Sequence, residues 1–260
     1  MLIDLSAGYK YIDKRKRALS RLLPLTKQAG VDSVGELVTL QKIKPFNHLH
    51  VSEQEALPLT ETSFFRDIYP FEALKKVVLP LLLKKRRSSQ TLNIWCAACS
   101  SGQEPYSIAL LLRQYFPIFS TWKLRLIASD ISEEMLSRAR AARYSQLEVS
   151  RGLPPTFLKR YFHPVGEEWQ LNDDIREMVE FQQIDLTDEW LPLPSMDIIF
   201  MRNVLIYFDV PTKKAILEKV RGVLQPDGYL FLGIAETTVA LDSLFKMVKF
   251  DKAVCYRLRG

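Results

Sequence analysis

The stretch NIWCAACSSGQEPYS, Asn93 to Ser107, decides how the chain is read. Asn93 to Ala98 is short and apolar, as a buried strand is, and from Glu104 onward the residues favour a helix. Strand, tight turn and helix in that order mark the place where doubly wound α/β proteins hold a ligand, usually with several glycines. Here a single glycine, Gly102, stands among Ala97, Ala98, Ser100 and Ser101. Two readings are open: a ligand loop written in small residues, or only a tight turn.

Outward from that loop the pattern alternates. Strands are expected at Asn93–Ala98, Lys123–Ser129, Asp197–Met201 and Tyr229–Gly233, and helices at Glu104–Tyr115, Glu133–Ala142 and Thr212–Val223. Short apolar strands alternating with helices predict a mainly parallel sheet covered on both faces. The end differs: LFKMVKFDKAVCYRLRG, from Leu244, holds two strand-like runs around Asp251-Lys252, a hairpin signal. The fold class expected is α/β, a Rossmann-like parallel sheet closed by a C-terminal antiparallel hairpin, the outline of class I methyltransferases. Residues 1–75 read as a small, basic, all-helical domain, 76–90 (ending in KKRRSSQ) as a linker, and 91–260 as the α/β domain. Residues 150–183 interrupt the alternation, as a small insertion or as an ordinary crossover with a long loop.

Composition excludes more than it selects. With 47% hydrophobic and 25% charged residues the chain is an ordinary globular one. Its longest apolar run, Val77 to Leu83, is too short to span a bilayer and is broken by Pro80, and the N-terminus lacks the order of a signal peptide. A cytoplasmic protein with no membrane insertion is expected. The net charge of +6 favours an acidic partner without choosing among nucleic acid, membrane and protein. Cys96 and Cys99 form a C-x-x-C, which could be a redox pair or half a zinc site; with no second pair, Cys255 distant and Cys96 inside an apolar strand, buried structural thiols are the reading favoured. His48 and His50 have no third ligand nearby and read as surface residues. No metal is expected.

Two further strand ends carry polar groups. LRLIASDIS places Asp130 just past an apolar strand, where an acid holds ribose hydroxyls in doubly wound folds; the competing role is capping the next helix. MDIIFMRNVLIYF delivers Arg202 and Asn203 at the carboxyl end of a buried strand. The Asn/Asp-Pro-Pro-Tyr of enzymes that methylate nucleobase amines is absent. An adenosyl ligand without phosphate fits these parts. Small residues from Ala97 to Gly102 allow close backbone approach, Glu104 can face a positive charge, and Asp130 can face a ribose.

Taken together, ETSFFRD, IWCAACSSGQEPYSIA, ASDIS, FMRNVLIYF and GYLFLGIAET resemble the CheR family, the chemotaxis receptor glutamate O-methyltransferases. The motifs stand in family order over about Thr60 to Cys255. The resemblance implies S-adenosyl-L-methionine as cofactor, S-adenosyl-L-homocysteine as product, and a small β-subdomain in the insertion. It places the cofactor contacts on Thr60, Thr62, Arg66, Glu104, Asp130, Asp185, Leu186, Arg202 and Asn203. Three positions depart from the family pattern. Thr60 and Asp185 stand where the family has Asn, and Gln103 stands where it has the first Glu of the loop. Asp185 adds a negative charge.

The reaction implied is in-line methyl transfer to a glutamate carboxylate. That nucleophile is ionised at neutral pH, with a pKa of about 4.3, so positioning and desolvation are the work. Arg66 and Tyr207 are the expected catalytic residues, Arg66 steering the carboxylate and Tyr207 holding it on line. The partner implied is the cytoplasmic helical domain of a chemotaxis receptor, met by a monomer. Lys10, Lys14, Arg17 and Arg21 fall on one helical stripe, either a solvated basic face or a surface suited to that acidic partner. RYFHPVGEEWQL, from Arg160, has one glycine and two glutamates, which suits a peptide tether poorly, so recognition through the stripe is expected. Two other functions compete: a cofactor-binding regulatory or scaffold protein, and an RNA methyltransferase.

Overall fold

The computed structural model describes residues 62–190 and 192–259. Thr60, His48, His50, the stripe Lys10, Lys14, Arg17 and Arg21, and most of the expected helical domain lie outside the described residues. The described part opens with α1 (Tyr69–Ala73), a π-turn at Leu74–Val78 and α2 (Leu79–Lys85). Next come β1 (Thr91–Ala97), α3 (Gln103–Tyr115), β2 (Lys123–Asp130) and α4 (Glu133–Ala141). A smaller unit then runs through β3 (Arg143–Ser145), α5 (Gln146–Ser150), α6 (Pro155–Tyr161), β4 (Phe162–Val165) and β5 (Glu168–Leu171). The chain returns to the main sheet with α7 (Asp173–Arg176), β6 (Val179–Gln183), β7 (Met196–Met201), α8 (Val210–Val223), β8 (Leu224–Leu232), β9 (Phe245–Phe250) and β10 (Ala253–Leu258).

The main sheet has the order β6-β2-β1-β7-β8-β10-β9. β6, β2, β1, β7 and β8 are parallel, and β10 is antiparallel to both β8 and β9, the hairpin read from the sequence. Its central strands are apolar on both faces because each face has its own core. Along β1, Leu92, Ile94 and Cys96 enter one core and Trp95 and Ala97 the other. β7 divides in the same way, Ile198 and Phe200 against Met196, Ile199 and Met201. Side chains alternate across a strand, so a continuous apolar run is what a sheet buried on both sides requires. The first face is covered by α1, α2 and α3, the second by Ile216, Leu217 and Val220 of α8.

Two expectations shift. The 76–90 stretch, read as a linker, is helical to Lys85, and its Val78, Leu79 and Leu82 are fully buried. Arg86 ends α2 inside a charged cluster at the amino ends of the strands, donating to Asp197 at 2.7 Å and with two nitrogens to Asp227. The insertion expected over 150–183 starts earlier and stops sooner. Its three-stranded antiparallel sheet, β3-β5-β4, spans Arg143 to Leu171. Val179–Gln183 belongs to the main sheet as its edge strand β6. An edge strand is half solvated, so β6 lacks the apolar run that marks the central strands.

Cys96, Cys99 and Cys255 are buried free thiols, as the sequence predicted. Burial pushes all three thiols upward, Cys255 to about 12. No helix among the described residues is long and apolar enough to cross a membrane.

Candidate active site

Parallel register brings four strand ends to one edge. Ala97 pairs with Ser129, Cys96 with Phe200, and Met201 with Leu232. The residues just beyond, or at, those ends are Ala98, Asp130, Arg202 and Gly233. This is the carboxyl edge, where α/β sheets bind ligands.

The loop after β1 is tightly wound. Ala98, Ser100 and Gly102 adopt φ of 54°, 50° and 92°. The left-handed region costs a non-glycine residue about 1–2 kcal/mol, and such residues gather at functional sites. The loop is held by its neighbour strand: Cys99 N donates to Ser129 O at 2.8 Å and Ser100 N to Asp130 Oδ2 at 2.8 Å. Asp130 Oδ1 accepts from Ser132 N at 3.0 Å, while Ser132 itself caps α4 through Met135 N. The capping role weighed for Asp130 therefore belongs to Ser132, and Asp130 stays partly exposed at the strand end.

Arg202 is buried at the centre of the edge. Nη1 donates to Glu104 Oε2 at 2.8 Å, and Nη2 donates to Asp67 Oδ2 at 2.8 Å and to Arg66 O at 2.9 Å. The pair with Glu104 joins β7 to the first turn of α3. Burial pushes the Glu104 carboxyl up, against the pull of Arg202 and, more weakly, of Arg66. The segment carrying Arg66 is clamped to the same turn: Phe65 N donates to Ser107 Oγ at 2.9 Å, and Ser107 Oγ donates to Gln103 O at 2.6 Å. Phe64 and Phe65 before it are core, Phe64 lying edge-on to Tyr144 at 5.0 Å between ring centres.

The remaining expected site residues divide. Asn203 follows Arg202 at φ 61°. Tyr207, at the end of the 3₁₀ turn Leu205–Tyr207, is 55% exposed. Thr62 is partly exposed at the start of the described segment. Asp185 Oδ1 accepts from both N and Oγ1 of Thr187 at 2.7 Å. Leu186 is buried, and its carbonyl accepts from Lys219 Nζ at 2.6 Å. Burial lowers the Lys219 ammonium below the usual lysine value, against the raising pull of Asp185 and Asp188. The third departure also has a local reason. Gln103 is buried, accepts from Ser101 Oγ at 2.9 Å and turns its amide toward Glu148 Oε1 at 3.4 Å. A glutamate at 103 would set a second carboxylate against Glu148.

Residues 60–254 match the family model described as CheR methyltransferase, SAM binding domain. The chain belongs to the CheR methyltransferase family. Among its relatives, chemotaxis protein methyltransferase 1 of Pseudomonas aeruginosa is 41% identical, over 95% of this chain and 91% of the relative. Chemotaxis protein methyltransferase Cher2 of Pseudomonas putida is 38% identical, over 95% and 91%. A chemotaxis protein methyltransferase of Vibrio parahaemolyticus is 35% identical, over 92% and 87%. The chain is thus an S-adenosylmethionine-dependent methyltransferase.

The strand ends fit that cofactor. Glu104, Asp130, Asp67 and Glu236 outnumber Arg66 and Arg202 there by two charges (four minus two), a balance suited to a cationic ligand. The buried Nε of Arg202 has no acceptor among the described residues. The small residues of the β1 loop leave its backbone approachable.

Sequence reasoning missed Asp67, Ser107 and Glu236. All three lie inside the quoted motifs, but their targets are backbone groups or a residue more than a hundred positions away, which no local pattern shows.

Proposed function

We propose that this methyltransferase esterifies glutamate side chains in the cytoplasmic helical domain of chemotaxis receptors, as a cytoplasmic monomer. The observation that carries the reading is the placement of Arg66 and Tyr207 on two segments tied to the same buried Arg202 edge. A guanidinium and a phenol are the groups that receive and orient a carboxylate. S-adenosylmethionine supplies a methyl group activated by its sulfonium. Glu104, Asp130, Asn203 and Leu186 would hold the cofactor, with Thr62 and Asp185 at its margins, Thr60 is a further contact by family pattern alone, and Arg202 acts mainly by fixing Glu104. Arg66 draws the incoming glutamate toward the edge. Tyr207, exposed at the mouth, donates its hydroxyl to that carboxylate and keeps one oxygen on line. The glutamate arrives ionised, so no residue has to take a proton from it.

Relatives named chemotaxis protein methyltransferases over nearly their full length support the choice of target. Lys10, Lys14, Arg17 and Arg21 are the residues we assign to receptor docking, in place of a peptide tether. The test is transfer of labelled methyl to receptor cytoplasmic fragments, released by mild base as an ester is. Label that stays in RNA through base treatment, or tight S-adenosylhomocysteine binding with no transfer to any receptor fragment, overturns the reading. Arg17→Glu with Arg21→Glu is expected to cut receptor methylation and its salt sensitivity while cofactor affinity holds.

A further inference from the structure

The two loops that leave β7 and β8 end on one side chain. Glu236 is 8% exposed. Its Oε2 accepts from Gly233 N at 2.6 Å and from Asn203 N at 2.7 Å, and its Oε1 accepts from Ile206 N at 3.3 Å. Its own N–H donates back to Gly233 O at 2.9 Å. Three main-chain donors that the sheet no longer pairs are gathered by one carboxylate.

The space confirms how tightly the knot is drawn. A Cβ on Gly233 would stand 2.7 Å from Asn203 Nδ2, 2.7 Å from Glu236 Oε2 and 2.9 Å from Asn203 N. No real Cβ comes so close, so glycine is required there by proximity and not by its φ. The residue whose N–H is captured, Asn203, sits at φ 61°, in the left-handed region that asparagine enters more readily than other side chains. The residue after Ile206 is Tyr207, whose own N–H returns to Val204 O at 3.2 Å. Glu236 therefore spans the turn that begins at Asn203 and ends at Tyr207.

We propose that Glu236 is a positioning residue for methyl transfer: it sets the backbone of Asn203 and Ile206 so that the Asn203 amide and the Tyr207 hydroxyl face the cofactor and the substrate carboxylate. This inference rests on the methyltransferase reading and on the roles given above to Asn203 and Tyr207. The simpler role is glue for a loop. The two separate in what they couple to: glue lowers stability alone, while positioning makes Glu236 and Tyr207 depend on each other.

The experiment is a double-mutant cycle on the full chain, with E236Q, Y207F and the pair. The glutamine keeps the size but turns an N–H₂ toward an N–H of the loop. Expected are at least a tenfold fall in kcat for E236Q, a smaller change in the KM for the receptor fragment, and at least a tenfold loss of S-adenosylhomocysteine affinity by calorimetry. Y207F, costly in the wild-type background, is expected to cost less than threefold in the E236Q background. If E236Q does not fold, E236D, which keeps the charge and withdraws it by one methylene, takes its place. Equal Y207F penalties in both backgrounds, or wild-type kcat and affinity in a folded E236Q, overturn the proposal. Absence of methyl transfer by the wild-type enzyme, with calorimetry still showing the Glu236 effect on affinity, overturns the substrate reading and leaves the positioning of Asn203 standing.

Discussion

Arg202 and Glu104 are 98 residues apart in the chain and 2.8 Å apart in space, and their bond fastens the end of β7 to the first turn of α3. The guanidinium also holds Asp67, so one cation serves two carboxylates. Arg202→Ala leaves both without their partner. Loss of one member of a buried ion pair costs about 3–5 kcal/mol. Glu104→Gln, which keeps an acceptor and removes a charge, is expected to cost less than half of that. Urea unfolding of the two variants checks the order; equal losses would mean that the pair is not what joins the two elements.

Asp130 is expected to matter for cofactor binding beyond its two main-chain bonds. Asp130→Ala should weaken S-adenosylhomocysteine binding by about 1–3 kcal/mol, the cost of losing charge-assisted hydrogen bonds. Asp130→Asn, which retains one oxygen for Ser100 N, should restore stability more fully than affinity. Calorimetry and thermal melting on the same samples separate the two effects, and unchanged affinity in folded Asp130→Ala would remove the residue from the site.

Arg66 and Tyr207 should show themselves in turnover. Arg66→Ala is expected to lose on the order of a hundredfold in kcat with a small change in cofactor affinity, and Tyr207→Phe about tenfold with affinity intact, if both act on the carboxylate in the transition state. A Tyr207→Phe enzyme that turns over at the wild-type rate would refute the part given to its hydroxyl.

At the opposite edge of the sheet, Arg86 holds the Asp227 carboxyl well below the usual range, at about 2. A carboxyl whose folded value is depressed stabilises the protein above its unfolded value. That contribution is lost as pH falls from about 4 toward 2. Asp227 is partly solvated, so the effect is discounted to about 1 kcal/mol. Burial raises Asp197 beside it, which works in the opposite sense over neighbouring pH values. Asp227→Asn is expected to lower stability at neutral pH by about 1 kcal/mol and to flatten the acid limb of the stability curve, read by denaturant titration at several pH values.

Much of this was legible in the residues. β1, the second half of β2, β7 and the end of β8 are largely apolar on consecutive positions, and a sheet with two cores demands that, so the strands stood out. The small-residue loop, Asp130 and Arg202 were found because they follow those strands directly. β6 was not, because a half-exposed edge strand has no such signature. The helix through Leu79–Lys85 was masked by Pro80 and by the basic KKRR that ends it; Pro80 is tolerated because the turn before it is a π-turn and it stands in the first turn of its own helix. Glu236 and Asp67 escaped for a different reason. Each acts on partners that only the folded chain brings near.

The three thiols buried in the core have a practical consequence for anyone following the enzyme at work. The thiolate is the form that alkylating dyes attack, and burial withholds both the proton loss and the access. A single cysteine introduced on the exposed surface thus becomes the one handle that a maleimide reaches in the native fold. Fluorescent or spin labels can be mounted around the site mouth with Cys96, Cys99 and Cys255 left in place, and unfolding can be timed by the moment those three begin to react.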